Sequence, residues 1–419
     1  MFIMARFWRS ALALATAVVT CGLTACSSPH RYPAVPSDIA DRAIALNNPA
    51  IRSWYLPMHE EFLDEIRRVS VLELKVREEA GQTGPLPTAY YLAISGGGAN
   101  GAYGAGLLCG WTARGDRPNF KVVTGISTGA LTAPFAFLGP AYDDRLKHVY
   151  TTVTTDQICT KRGLLSAFYD DALMDTAPLR KLMAELIDEQ MMRDIAKEYA
   201  KGRLLMVATT NLDANRAVVW NVGAIASSGH PDALGLIHKV LAASAAIPAA
   251  FPPVMIDVEV DGKQYQEMHV DGGAKAQVFL YPPTLQLKTS GAAAGMDRQR
   301  AAYIIRNSRL DPEWADVERL TLSIAGRAIA SMIQTQGVGD LYRIYVITQR
   351  DGVAYNLASI PSSFDKKPKE DFDPVYMSAL FDVGYQQALT GDPWTHTPPG
   401  YIAADAGMDQ AAVQHPGGQ

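Results

Sequence analysis

Two stretches of this chain share one build: a short apolar run that reads as a strand, a glycine-rich turn, and then a helix rich in small residues. Residues 90–94 run into Ser-Gly-Gly-Gly-Ala-Asn-Gly at 95–101 and a helix around 102–111. Residues 120–126 run into a second turn, Gly-Ile-Ser-Thr-Gly at 125–129, and an Ala-rich helix. A strand that passes directly into a helix is joined to the next strand by a crossover, which makes successive strands parallel. The alternation continues with a helix over 179–199, a strand at 204–209 and a helix over 234–246. Further strands are expected at 254–260, 264–270, 303–306 and 342–348. The expected class is therefore α/β, a mainly parallel central sheet with helices on both faces.

At 419 residues, with 48% hydrophobic and 19% charged side chains, the chain has ample material for a core of that kind. A formal net charge of −5 lacks the basic surplus of a nucleic-acid binder. Residues 38–88 carry charged and apolar side chains at helical spacing, as at Glu61, Phe62, Ile66, Val69 and Leu72, and read as an N-terminal helical extension. The main domain is expected over 89–390, followed by a Pro- and Gly-rich tail, 391–419, expected to be poorly ordered.

Three elements carry chemistry. The glycine turn at 95–101 can aim successive backbone N–H groups at one point beside a helix N-terminus, where a phosphate or an oxyanion would sit. Gly96, Gly98 and Gly101 also satisfy the dinucleotide pattern G-x-G-x-x-G. That reading requires an acid at the end of the next strand, and Asp116 lies in the loop before that strand instead. The second element, Gly125 to Gly129 around Ser127, has the spacing of a nucleophile elbow. The third is Asp271-Gly272-Gly273 after a strand, a carboxylate base or simply a hairpin turn. Together they supply the nucleophile, anion-stabilising donors and base of an acyl-transfer site. His148, His230 and His238 are too scattered to suggest a metal site, and the scheme calls for no cofactor.

These motifs, with Ala-Ser-Ala-Ala-Ile-Pro at 243–248 and Phe-Pro-Pro after it, make the chain resemble the patatin-like phospholipases in order and spacing. Gly202-Arg203-Leu204 and Thr210-Asn211-Leu212-Asp213 look like further family positions. The resemblance implies a three-layer α/β/α sandwich and a Ser127–Asp271 dyad without a catalytic histidine. It also implies an oxyanion hole from Gly96, Gly97 and Gly98, with Gly101, Gly125, Gly129, Gly272 and Gly273 shaping the motifs, and fatty-acyl esters of phospholipids or lysophospholipids as substrates. One position departs: Asn100 stands where the family usually has Arg or Lys. Two alternatives stay open. One is a non-catalytic envelope scaffold; the other is a Ser-His-Asp triad drawing on His269, His396 or His415.

The N-terminus suggests where such an enzyme would work. Arg6 and Arg9 precede an apolar run too short to span a bilayer, and Leu23-Thr24-Ala25-Cys26 resembles the lipobox of bacterial lipoproteins. A signal peptide over 1–25, lipidation at Cys26 and a Pro-rich linker over 26–37 follow from that resemblance. Ser27 then implies sorting to an outer membrane, facing the periplasm, if the host has one. Loss of the two arginines would take the formal charge from −5 to −7. Cys109 and Cys159 are expected as buried free thiols, although export would permit a disulfide. The sequence is silent on oligomeric state.

Overall fold

The computed structural model describes residues 31–163, 170–293 and 296–402. The expected signal segment, Cys26, His415 and the tail beyond residue 402 lie outside the described residues. In chain order the strands are β1 (Arg52–Trp54), β2 (Ala89–Ile94), β3 (Phe120–Gly125), β4 (Leu204–Asn211), β5 (Arg216–Asn221), β6 (Val254–Val260), β7 (Lys263–Asp271), β8 (Arg300–Arg306) and β9 (Val353–Ser359). The longer helices are α1 (Glu60–Glu79), α2 (Gly101–Arg114), α3 (Thr128–Leu138), α4 (Asp143–Thr152), α5 (Ala177–Leu186), α6 (Glu189–Ala200), α7 (Ala233–Ser244), α8 (Thr321–Asp351) and α9 (Pro374–Thr390).

These nine strands join one sheet in the order β1-β5-β4-β3-β2-β8-β9, with β7 pairing β4 and β6 pairing β7, while Thr160–Lys161 and Met174–Asp175 pair as a separate two-stranded ladder. The run from β4 to β9 is parallel throughout, as the crossover argument predicts. Alternate residues serve opposite faces. Leu92 and Ile94 of β2 join the core that includes α2, α3 and α9, whereas Tyr91 and Ala93 join the core built with α8. Helices therefore cover both faces of the sheet, giving the expected three layers.

Several local expectations change. Residues 342–348 are rich in aromatic and β-branched side chains and read as a strand, yet they lie within α8. Their burial explains why: Leu341, Ile344, Ile347 and Thr348 are buried while Val346 is exposed, a helical stripe rather than alternation. The edge strand is β9, immediately after the Gly352 turn that ends α8. The helix expected over 179–199 is two, α5 and α6, parted where Asp188 caps α6 by accepting the Met191 N–H at 2.8 Å. Residues 38–88 hold α1 but also β1, which pairs antiparallel with β5. Of the expected linker, residues 31–37 dock: Arg31 forks onto Asp213, and the Pro33 carbonyl accepts the Gln266 N–H at 3.0 Å. Residues 391–402 also dock, with Trp394 against Trp111 and Tyr303 at 4.9 and 4.8 Å and Thr395 pairing Leu357.

The helix layer over the glycine turn is drawn in very tightly. On α2, a Cβ at Gly106 would lie 2.0 Å from the Phe381 carbonyl oxygen of α9, and one at Gly110 would lie 2.2 Å from that of Tyr385. Backbones this close leave no room for a methyl group, and packed helices move apart only at the expense of their neighbours. Gly106→Ala is expected to destabilise the fold by about 2 kcal/mol or more. Gly339→Ala on α8, where a Cβ meets nothing within 4 Å, should be neutral or gain up to about 1 kcal/mol. Thermal unfolding of both variants checks the contrast.

Candidate active site

Ser127 lies between the end of β3 and the start of α3 with φ 56° and ψ −128°, a backbone conformation strained for a residue with a side chain. The flanking glycines permit the turn through close approach. A Cβ on Gly125 would sit 2.4 Å from the Gly129 carbonyl oxygen, and one on Gly129 would sit 2.2 Å from that of Ile94. The serine backbone is also pinned from a distant segment, since its N–H donates to the Ser244 hydroxyl at 3.0 Å. Ser244 in turn donates to the Ala208 carbonyl at 2.7 Å. The Ala-Ser-Ala-Ala-Ile-Pro segment thus ends α7 as a brace under the elbow.

Asp271 reaches the serine through strand register. β3 pairs with β4 only as far as Gly125 opposite Val207. Beyond that point β7 pairs with β4, placing Asp271 opposite Thr209. Because β5 occupies the other edge of β4 along 206–211, β7 must extend the β3 edge. Asp271 therefore falls beside Ser127, with its carboxyl within reach of the serine hydroxyl's influence. The Gly273 N–H donates to Asp271 Oδ1 at 2.7 Å, and the Asp271 N–H is held by the Ala246 carbonyl at 2.9 Å. Asp271 is 5% exposed; burial pushes its pKa up to about 6, partly opposed by the neighbouring Ser127 hydroxyl and the Gly273 N–H.

The glycine turn faces the same point. Gly96 was expected among the anion donors, but its N–H donates to the Gln277 carbonyl at 3.1 Å and is occupied. The N–H groups of Gly97 and Gly98 have no acceptor among the described residues. Gly97 is exposed where the turn opens, and a Cβ there would lie 2.3 Å from the Asn307 carbonyl oxygen. Gly101, at the start of α2, abuts the elbow: a Cβ there would lie 2.2 Å from Thr128 Oγ1. Asn307 holds the turn by accepting the Gly104 N–H at 3.0 Å and donating to the Ser95 carbonyl at 3.0 Å. Gln277 holds it from the other side and donates to the Gly273 carbonyl at 2.8 Å and to Gln336 of α8 at 3.0 Å. Asn307, Gln277 and Ser244 are the site residues whose roles the sequence did not disclose, because each acts through a contact distant in the chain.

The remaining candidates resolve as structural. Asn100 Oδ1 accepts the Tyr376 hydroxyl of α9 at 2.6 Å, so the residue in the basic position is tied to a helix instead. His269 is buried between Thr209 at 2.8 Å and Glu267 at 3.0 Å, and Glu267 pairs with Arg52. His396 faces the Tyr355 carbonyl. Among the described residues no histidine hydrogen-bonds Ser127, so neither His269 nor His396 completes a triad. Arg203 clamps Phe120, Phe137 and Glu198, and Asp213 pairs with Arg31. Asp116 hydrogen-bonds Arg114 at the surface, and no acid ends β3, which removes the dinucleotide reading. Cys109 and Cys159 are free and buried.

Residues 92–282 match the patatin-like phospholipase family. Among solved structures, the crystal structure of VipD from Legionella pneumophila aligns with a TM-score of 0.38 and 12% identity, over 73% of this chain and 67% of that one. The type III effector protein ExoU of Pseudomonas aeruginosa aligns at 0.31 and 13%, over 73% and 54%. Human GIVD cytosolic phospholipase A2 aligns at 0.27 and 10%, over 67% and 51%. The chain thus spans between about half and two thirds of these longer structures. No curated protein sequence matches it. The matched stretch runs from within β2 to just past β7 and takes in the surroundings of Ser127 and Asp271, so this part of the chain carries a domain similar to the patatin-like phospholipases, which are lipid acyl hydrolases.

Proposed function

We propose that this chain hydrolyses fatty-acyl esters of phospholipids or lysophospholipids through a Ser127–Asp271 dyad. The observation that carries the proposal is the apposition, set by strand register, of a strained serine and a buried carboxyl whose pKa is raised to about 6. A base with that pKa is ionised at neutral pH yet basic enough to take a hydroxyl proton in the transition state. Asp271 accepts the Ser127 proton as Oγ attacks the ester carbonyl. The tetrahedral oxyanion forms against the free N–H groups of Gly97 and Gly98, near the N-terminus of α2. Collapse returns the proton to the leaving alcohol and leaves an acyl-serine. Water then attacks with Asp271 again as base, releasing the fatty acid and restoring Ser127.

A lipid aggregate as the source of substrate suits the surroundings. The first half of α8 carries one charged residue, Arg327, between positions 321 and 339, and it exposes Ile324, Ile329 and Met332. Trp314, 86% exposed, lies just before this helix, whose Gln336 reaches the site through Gln277. Such an exposed apolar patch beside a reaction centre fits docking on lipid. Anchoring through Cys26 would hold the enzyme at an envelope membrane, since several acyl chains acting together anchor stably.

The dyad can be tested by kinetics on a soluble short-chain ester. Ser127→Ala and Asp271→Asn should each lower kcat/KM by about 10²–10⁴-fold, and the double variant should be little worse than Ser127→Ala. In the parent enzyme, kcat/KM should rise with pH through about 6 and then level off, because only the Asp271 carboxylate is a base. Near-parental turnover by folded Asp271→Asn would remove Asp271 from the mechanism.

Stability should move the other way. The folded state holds the Asp271 proton more tightly than the unfolded chain, so it is favoured as pH falls through about 6 and is opposed by the buried charge above that. Asp271→Asn should therefore be more stable than the parent at pH 8, by on the order of 1–3 kcal/mol, with the gap closing near pH 4. Chemical denaturation at the two pH values checks both sign and window. The anchor is tested separately: Cys26→Ser should leave the protein in the soluble fraction or unprocessed, and salt-resistant membrane retention after normal processing would contradict lipidation.

A further inference from the structure

A cavity of about 700 Å³ lies between α1 and the sheet, and neither Ser127, Asp271 nor the glycine turn lines it. Its walls are Leu63, Ile66 and Leu74 of α1, Met206 and Val219 of the sheet, and Phe279 of the segment after β7. Protein interiors are packed with few voids larger than a water molecule, and an apolar void does not hold water well. A space of this size, walled mainly by hydrocarbon, has the dimensions of a ligand pocket.

Its polar groups are unevenly distributed. Lys121, Arg298 and Arg300 all line it, with Tyr91 beside Arg300. Glu73 lies 2.7 Å from Lys121 and 2.6 Å from Arg298. Arg300 donates to the carbonyls of Arg298 and Met296, both at 3.1 Å, and has no carboxylate within 4 Å among the described residues. Three cations thus face one carboxylate where the side chains of Lys121 and Arg298 are only 12% and 4% exposed. Buried charge is stable only when it is paired, so an excess of positive charge beside an apolar cavity calls for one more anion attached to hydrocarbon. Arg67, which also lines the cavity, is already paired with Glu60 and Asp64.

We propose that this cavity is a second lipid site, which binds a long-chain carboxylate with its chain between α1 and the sheet and its head group at Arg300, Lys121 and Arg298. A fatty acid has both parts. It is also the acid released in the proposed reaction, but binding here does not depend on which ester is cleaved or on Ser127. A ligand filling this space would join α1 to the sheet and stabilise the native state by mass action.

The test uses delipidated Ser127→Ala protein, in which the proposed turnover is removed, titrated with oleate and with oleyl alcohol below their aggregation concentrations. Oleate should bind saturably at one site and raise the unfolding temperature. Arg300→Gln should weaken oleate at least 10-fold while leaving oleyl alcohol within about twofold, because only the head-group contact is changed. Leu63→Trp, which fills the cavity, should weaken both ligands at least 10-fold. Parent protein blocked at Ser127 by a short-chain phosphonate should still bind oleate. The proposal fails if oleate does not bind saturably or if the blocked parent no longer binds it. It also fails if Arg300→Gln binds oleate like the Ser127→Ala protein. Should Leu63→Trp not fold, as judged by cooperative unfolding, the Arg300→Gln comparison decides alone.

Discussion

The site depends on how one edge of β4 is shared. β3 covers that edge up to Val207 and then leaves the sheet to make the serine elbow; β7 takes over from Thr209 and runs the opposite way. Two strands that run in opposite directions along one edge and both end at the same point bring their C-terminal ends together, and the residues at those ends are Ser127 and Asp271. Register in a sheet is fixed by ladder hydrogen bonds and by the alternation of faces, so this contact is set by the whole fold rather than by local flexibility. A one-residue slip of β7 would turn Asp271 to the opposite face and disassemble the pair.

Around that junction the same few segments act twice. The stretch at the end of α7 braces the serine backbone through Ser244 and the aspartate backbone through Ala246. Gln277 holds the glycine turn through its carbonyl and the Asp-Gly-Gly turn through its amide. The strained φ of Ser127 and the buried carboxyl of Asp271 are both unfavourable in isolation. They persist because neighbouring backbone groups over-determine them, and such strain and perturbed ionisation gather at reacting centres.

Much of this was legible in the sequence, and the reasons divide cleanly. The glycine turn, the serine pentapeptide and Asp-Gly-Gly are local motifs whose backbone demands are visible residue by residue. The parallel sheet followed from strands that run straight into helices. What escaped required distant contacts. Ser244 sits in the Ala-Ser-Ala-Ala-Ile-Pro run, which carried the resemblance but disclosed no role, Asn307 follows a strand, and Gln277 lies in a loop; only the fold brings them to the glycines and the serine. Gly96 looked equivalent to its neighbours until Gln277 was found to occupy its N–H. Residues 342–348 misled because β-branched and aromatic composition favours a strand, whereas tertiary packing selects the helical stripe of Leu341, Ile344 and Ile347. The strand β1 is only Arg-Ser-Trp, too short to show alternation, and β5 carries the unalternating run Ala-Val-Val-Trp. Asn100 was read as a missing charge, and the structure adds what replaces it: a hydrogen bond to Tyr376 that ties the turn to α9.

The central claim is that Ser127 is an activated nucleophile facing an oxyanion hole. A fluorophosphonate ester reports on both features at once, since it reacts with a serine whose proton has a base to go to and then leaves a tetrahedral oxygen that needs donors. Incubation of the folded protein with such a probe, followed by peptide mass spectrometry, should place one adduct on the peptide bearing Ser127. Labelling should be lost when the protein is denatured first. A folded protein that stays unlabelled, or carries the adduct on another serine, would contradict the account.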